Sequence, residues 1–149
     1  MKKTVGYTTG VFDMFHIGHL NILRKARENC DYLIVGVSTD ELVREYKSRT
    51  PIIPFSERIE IVKAIRYVDE VVPQVTMDKL QAWEKLRFDV LFHGSDWKGS
   101  PMYDEVERKL NAVGVRVQFF DYTQGTSSTL LNEVLHEILR HSEEGDQNQ

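Results

Sequence analysis

The chain has one cysteine, four prolines and no apolar run near the ~20 residues of a membrane span. Its lone thiol, Cys30, rules out an internal disulfide and reads as a buried reduced cysteine at the end of an apolar helical face. The opening stretch MKKTVGYTTG lacks the apolar core and small-residue cleavage site of a secretory signal. Also missing are a G-x-x-x-x-G-K-[ST] phosphate loop and a G-x-G-x-x-G turn, so kinase-like and NAD-binding readings lose their main support. A net charge of −4 argues against a general nucleic-acid binder, which needs a basic surface for phosphates. It leaves room for a small anionic substrate held by a few placed cations and a helix start. The expectation is a cytoplasmic protein with no membrane span and no nucleic-acid partner.

What is present alternates regularly. At 149 residues, with 41% hydrophobic and 28% charged side chains, the chain fits one ordinary globular domain. TVGYTTG, DYLIVGVS, DEVVPQ, DVLFHGS and VRVQFFDY read as strands, and the segments between them carry helical periodicity. Ser38 with Glu41 has capping-box spacing, Ser56 precedes the next helical run, and Gly114 closes another. The last helix, from SSTLLNEVLHEILRH, has an apolar stripe of Leu131, Val134, Leu135, Ile138 and Leu139. Residues 1–141 are expected to form the domain, with 142–149 a polar, disordered tail. Five strand and helix alternations predict a single doubly wound, Rossmann-like α/β domain with a five-stranded parallel sheet, order 3-2-1-4-5.

Ligands of such sheets collect beyond the carboxyl ends of the strands, where strand order reverses. The loop after the first strand, GVFDMFHIGH, lies there. Gly18 lets the backbone approach a ligand at the start of a helix, and His16 and His19 flank it. Both imidazoles can donate to one anion, with Asp13 and the backbone around Gly10 completing the pocket. Packing histidines are one competing reading. Zinc on His16, His19 and Asp13 is another, against which the anion-favouring helix start counts.

The segments GVFDMFHIGH, DYLIVGVSTDE, ERIEIVKAIRYVDEVVP, HGSDWKG and YTQGTSST together resemble the cytidylyltransferase branch of the nucleotidyltransferases, nearest those acting on glycerol 3-phosphate. The resemblance implies that the phosphate of a small phosphorylated alcohol attacks the α-phosphorus of CTP, giving a CDP-alcohol and pyrophosphate. It implies catalytic roles for His16, His19, Lys47 and Arg66, with Arg49 competing with Lys47 because the intervening loop is one residue longer. It implies nucleotide contacts from Thr9, Gly10, Val11, Phe12, Asp13, Gly18, Asp96, Thr123, Gly125, Ser127, Ser128 and Thr129. Substrate contacts are implied for Arg58, Arg66, Trp97 and Tyr122, along with Mg2+ arriving with the nucleotide and a homodimer. An ATP-dependent adenylyltransferase of the same fold and a catalytically silent nucleotide-binding module are the alternatives.

Three positions depart from the family pattern. Tyr122 stands where an arginine is usual, Thr126 where isoleucine is usual, and Val11 where the glycerol-phosphate enzymes carry threonine. A tyrosine offers one neutral donor where arginine offers a charged fork. Lys98 is a candidate to supply the missing cation.

Overall fold

In the computed structural model, residues 2–95, 98–121 and 128–147 are described. The elements run β1 (Val5–Gly10), α1 (Ile17–Glu28), β2 (Tyr32–Ser38), α2 (Asp40–Lys47), α3 (Phe55–Lys63), β3 (Glu70–Gln74), α4 (Lys79–Leu86), β4 (Val90–Gly94), α5 (Pro101–Ala112), β5 (Arg116–Phe120) and α6 (Ser128–Gln147). The sheet has the expected order, β3-β2-β1-β4-β5, and every pairing is parallel.

The continuous apolar runs of the inner strands are divided between two cores by the strand period. Leu33, Val35 and Val37 join Leu23 of α1 and Val62 of α3 on one face. Ile34 and Leu91 join Tyr103 and Leu110 of α5 on the other. Helices therefore cover both faces, and a sheet buried on both sides explains why these strands are not polar on alternate residues. Three aspartates mark the amino edge of the sheet. Asp31, Asp69 and Asp89 each stand one residue before a strand, and their carboxylates accept the N–H of Thr4, Leu33 and Val5, respectively, each at 2.8 Å.

Helix starts differ in detail from the sequence reading. Ser38 ends β2 and donates to Gln74 Oε1 at 2.7 Å, so the cap of α2 falls to Thr39, whose Oγ1 accepts from Leu42 N–H at 3.2 Å. Helix α3 starts at Phe55 behind Pro54, one residue ahead of Ser56, and it stops at Lys63 with no continuation into the RYV segment. Gly114 has φ of 85°, the left-handed conformation that a glycine after a helix supplies without strain. The backbone of α6 stays helical through Gln147, beyond the His141 boundary drawn for the domain. Its Leu130, Val134, Ile138 and Leu139 are exposed.

Candidate active site

With all strands parallel, Gly10, Ser38, Gln74 and Gly94 lie at one edge of the sheet, and the loop after β1 opens there. Inside that loop Phe12 and Met14 adopt positive φ, 56° and 50°. Such conformations are costly for residues with a Cβ and persist where surrounding structure imposes them. Here the anchor is Asp13 between them. It is 4% exposed, and its carboxylate accepts the N–H of Ile52 at 2.8 Å and of Ile53 at 2.9 Å. One side chain thus ties the β1 loop to the segment preceding α3.

The two histidines form the first turn of α1. His16 is the N-cap, and its Nδ1 accepts from Gly18 N–H at 3.0 Å. His19, three residues on, accepts the His16 N–H on its own Nδ1 at 3.3 Å. This is a capping box in which imidazoles replace the usual hydroxyl and carboxylate. Because both Nδ1 atoms act as acceptors, hydrogen bonding assigns the ring protons to Nε2. The rings are stacked, with centroids 4.1 Å apart, and Phe12 and Phe15 pack on His19 at 5.4 and 5.3 Å.

That environment keeps the pair neutral. Desolvation chiefly lowers the pKa of His19 to about 3, the neighbouring His16 adds to the effect, and Asp13 opposes it. Burial also lowers His16. The pair therefore keeps its ring protons on Nε2 at a helix start and carries no fixed imidazolium charge. An apolar bowl of about 560 Å³ adjoins His16, lined by Phe12, Met14, Phe15, Ile53, Ile61 and Leu131.

Of the cations expected at the site, Lys47 has its Nζ over the Tyr46 ring, 5.7 Å from the centroid, and within the field of Asp13. Lys47 ends α2, and desolvation lowers its pKa while the Asp13 carboxylate partly opposes that shift, so the two side chains share one field. Arg49 is exposed in the loop that follows.

Arg58 is not the substrate contact it was expected to be. It is 0% exposed, and its guanidinium donates to the carbonyls of Ile53 at 2.8 Å, Val11 at 2.6 Å and Ser38 at 2.8 Å and to Asp40 Oδ1 at 2.7 Å. Burial pushes the Asp40 carboxyl up, but the Arg58 contact more than offsets this and leaves it below its usual range. The fork joins four segments that border the site, so Arg58 acts as an internal strut.

Arg66 is displaced for a topological reason. The nine residues of α3 carry the chain about 13 Å away from the ligand edge, and Arg66 lies in the turn before β3, its guanidinium over Tyr67 at 5.4 Å from the ring centroid. Within one chain that is the edge opposite His16, so the fold does not bring Arg66 together with the histidine pair.

Thr9, Gly10 and Val11 line up at the end of β1, where a Cβ on Gly10 would meet the Phe12 ring at 3.0 Å. Gly18 sits in the first turn of α1. Asp96, Trp97, Tyr122, Thr123, Gly125 and Ser127 lie outside the described residues. Ser128 and Thr129 open α6, with only their backbone described.

A ligand cage for a metal is not assembled from these parts. Among the described residues no three His, Cys, Asp or Glu come together as a metal site. The Asp13 oxygens and both Nδ1 atoms accept from backbone amides. Sequence reasoning missed the strut role of Arg58, because nothing in ERIEIVK distinguishes a buried arginine from an exposed one.

Comparison with known proteins gives a consistent result. A family model described as cytidylyltransferase-like matches residues 7–134. The glycerol-3-phosphate cytidylyltransferase of Staphylococcus aureus is 34% identical over 137 residues, covering 91% of this chain and 96% of its own. An FAD synthase of Pyrococcus horikoshii is 40% identical over 113 residues, 73% of each chain. Among solved structures, a lipopolysaccharide core biosynthesis protein from Thermoplasma volcanium superposes with a TM-score of 0.70 at 24% identity, covering 84% of this chain and 100% of that one. That last likeness concerns the fold alone.

Proposed function

Since the chain belongs to the cytidylyltransferase-like family, we propose that it transfers CMP from CTP to a small phosphorylated alcohol, with glycerol 3-phosphate the first choice. An acceptor phosphate oxygen attacks the α-phosphorus, the bond to the β-phosphate oxygen breaks, and pyrophosphate leaves. No protein nucleophile takes part, so the chain's task is to position the phosphates and to stabilise charge on the phosphoryl oxygens. The observation that supports this most is the double commitment of Nδ1 in His16 and His19. It leaves both ring protons on Nε2 in stacked rings at a helix start, where anions are already favoured. Lys47 supplies mobile positive charge beside them, and Arg58 with Asp13 holds the two loops in register.

Mg2+ belongs to this reading as the companion of the nucleotide's phosphates, since the described side chains form no cage for it. The homodimer implied by the resemblance is part of the same reading, tested by sedimentation. A second reading, ATP with a flavin phosphate as acceptor, is favoured by the identity to an FAD synthase.

One assay separates the two. Pyrophosphate release is measured with Mg2+ and either CTP or ATP across glycerol, ribitol, choline and flavin phosphates. Release with CTP and an alcohol phosphate supports the first reading, whereas release confined to ATP sinks it.

A further inference from the structure

A second polar feature lies between the start of α4 and the side of α5, on the face of the sheet away from α1. A cavity of about 210 Å³ is lined there by Asp78, Lys79, Leu80, Met102, Glu105 and Lys109. Lys79 is 3% exposed, and among the described residues its Nζ has no hydrogen-bond partner. A buried ammonium in that state is costly and is relieved by meeting an anion or by losing its proton.

The nearby carboxylates do not answer it. Asp78 Oδ1 accepts the N–H of Leu80 at 3.0 Å and of Gln81 at 3.2 Å. Glu105 lies 3.4 Å from Lys109 Nζ and 3.7 Å from an Arg108 nitrogen. Burial lowers the Lys79 pKa to about 8, with Asp78 only partly opposing, so the side chain is still predominantly cationic at pH 7.

We propose that this cavity is a subsite for a small oxyanion of the phosphate class, with Lys79 as its counter-charge. The eight-residue α4 begins at the cavity, while the side of α5 runs along it from Met102 to Lys109, and a helix start favours negative charge. The volume lies below the ~300 Å³ at which pockets for drug-sized ligands begin. It therefore suits inorganic phosphate, pyrophosphate or the phosphate end of an acceptor. None of its lining residues belongs to the His16 and His19 site.

The test is a titration of the full-length protein with inorganic phosphate, pyrophosphate and glycerol 3-phosphate in separate arms, followed by backbone amide resonances. Saturable shifts at Lys79, Leu80 and Met102 are expected, weakened by about tenfold or more in Lys79→Met and retained in Lys79→Arg. Shifts at Gly18 and His19 report the other site and should survive both substitutions. The arm that binds tightest identifies the source of the anion. Absence of saturable shifts at α4 and α5 with all three probes, or shifts unchanged in Lys79→Met, would overturn the proposal. Should Lys79→Met not fold, the wild-type titration decides. Turnover plays no part in the readout, so this subsite and the transfer reaction fail separately.

Discussion

Replacing His19 by glutamine removes a group whose protonation is suppressed in the folded protein while keeping an acceptor for the His16 N–H. In the unfolded chain His19 titrates at its ordinary value of 6.5, and in the fold it is held at about 3, chiefly by desolvation. Between those two values the unfolded state binds a proton that the folded state does not. By linkage, stability then falls as pH drops below about 6.5 and keeps falling toward about 3. At pH 5 this one group accounts for a loss of about 2 kcal/mol relative to pH 8, at about 1.4 kcal/mol per pH unit. Urea unfolding at pH 8 and pH 5 reads the effect, and for a chain this size it moves the midpoint by about 1 M. His19→Gln should flatten the wild-type pH dependence by that amount. Parallel curves for the two proteins would refute the reasoning, as would a His19 ring resonance that titrates near pH 6 in the free protein.

His16→Ala and His19→Ala should each lower kcat by about 10²–10³-fold, the usual cost of removing one transition-state donor. Each should also lose about 1 kcal/mol of stability through the cap; near-wild-type turnover in either would count against the proposed site. Arg58→Met leaves Asp40 and three carbonyls without their shared donor and should cost about 3–5 kcal/mol in urea unfolding; a loss under about 1 kcal/mol would show that the strut is dispensable. Lys79→Met should stabilise the ligand-free protein at pH 7. The lysine's folded pKa of about 8 lies below the ordinary 10.5, so a penalty of about 3 kcal/mol is present below pH 8 and fades as pH rises toward 10.5. A variant no more stable than wild type at pH 7 in phosphate-free buffer contradicts it.

Much of the fold was legible because its signals are local. DYLIVGVS could hardly be anything but a doubly buried strand, and a strand followed by a helix five times over leaves few topologies. The ligand edge followed from the strand order, and with it the position of His16 and His19. What escaped was decided between segments distant in the chain. Ser38 carries capping-box spacing with Glu41, yet its hydroxyl pairs with Gln74, brought alongside by the β2 and β3 pairing. Arg58 and Arg66 are two turns apart in one helical pattern, yet one ends in the interior beneath the site and the other at the opposite edge of the sheet. A charged side chain's fate depends on which carbonyls converge around it, and those of Val11, Ser38 and Ile53 come from three different stretches. Lys79 gave no signal either, since MDKLQAW reads as the exposed start of a helix.

The imidazole capping box carries a consequence for design and for reading other chains. The capping box itself asks of positions 16 and 19 an acceptor for two amides, a demand that serine and glutamate meet with no ring at all. A His16→Ser, His19→Glu double variant should therefore keep the first turn of α1 and the loop geometry while presenting no Nε2–H to a ligand. Architecture and chemistry would come apart at the two nitrogens of a single ring. Where two histidines occupy a place that simpler residues could cap, the ring nitrogens outside the cap are where a further role is to be tested.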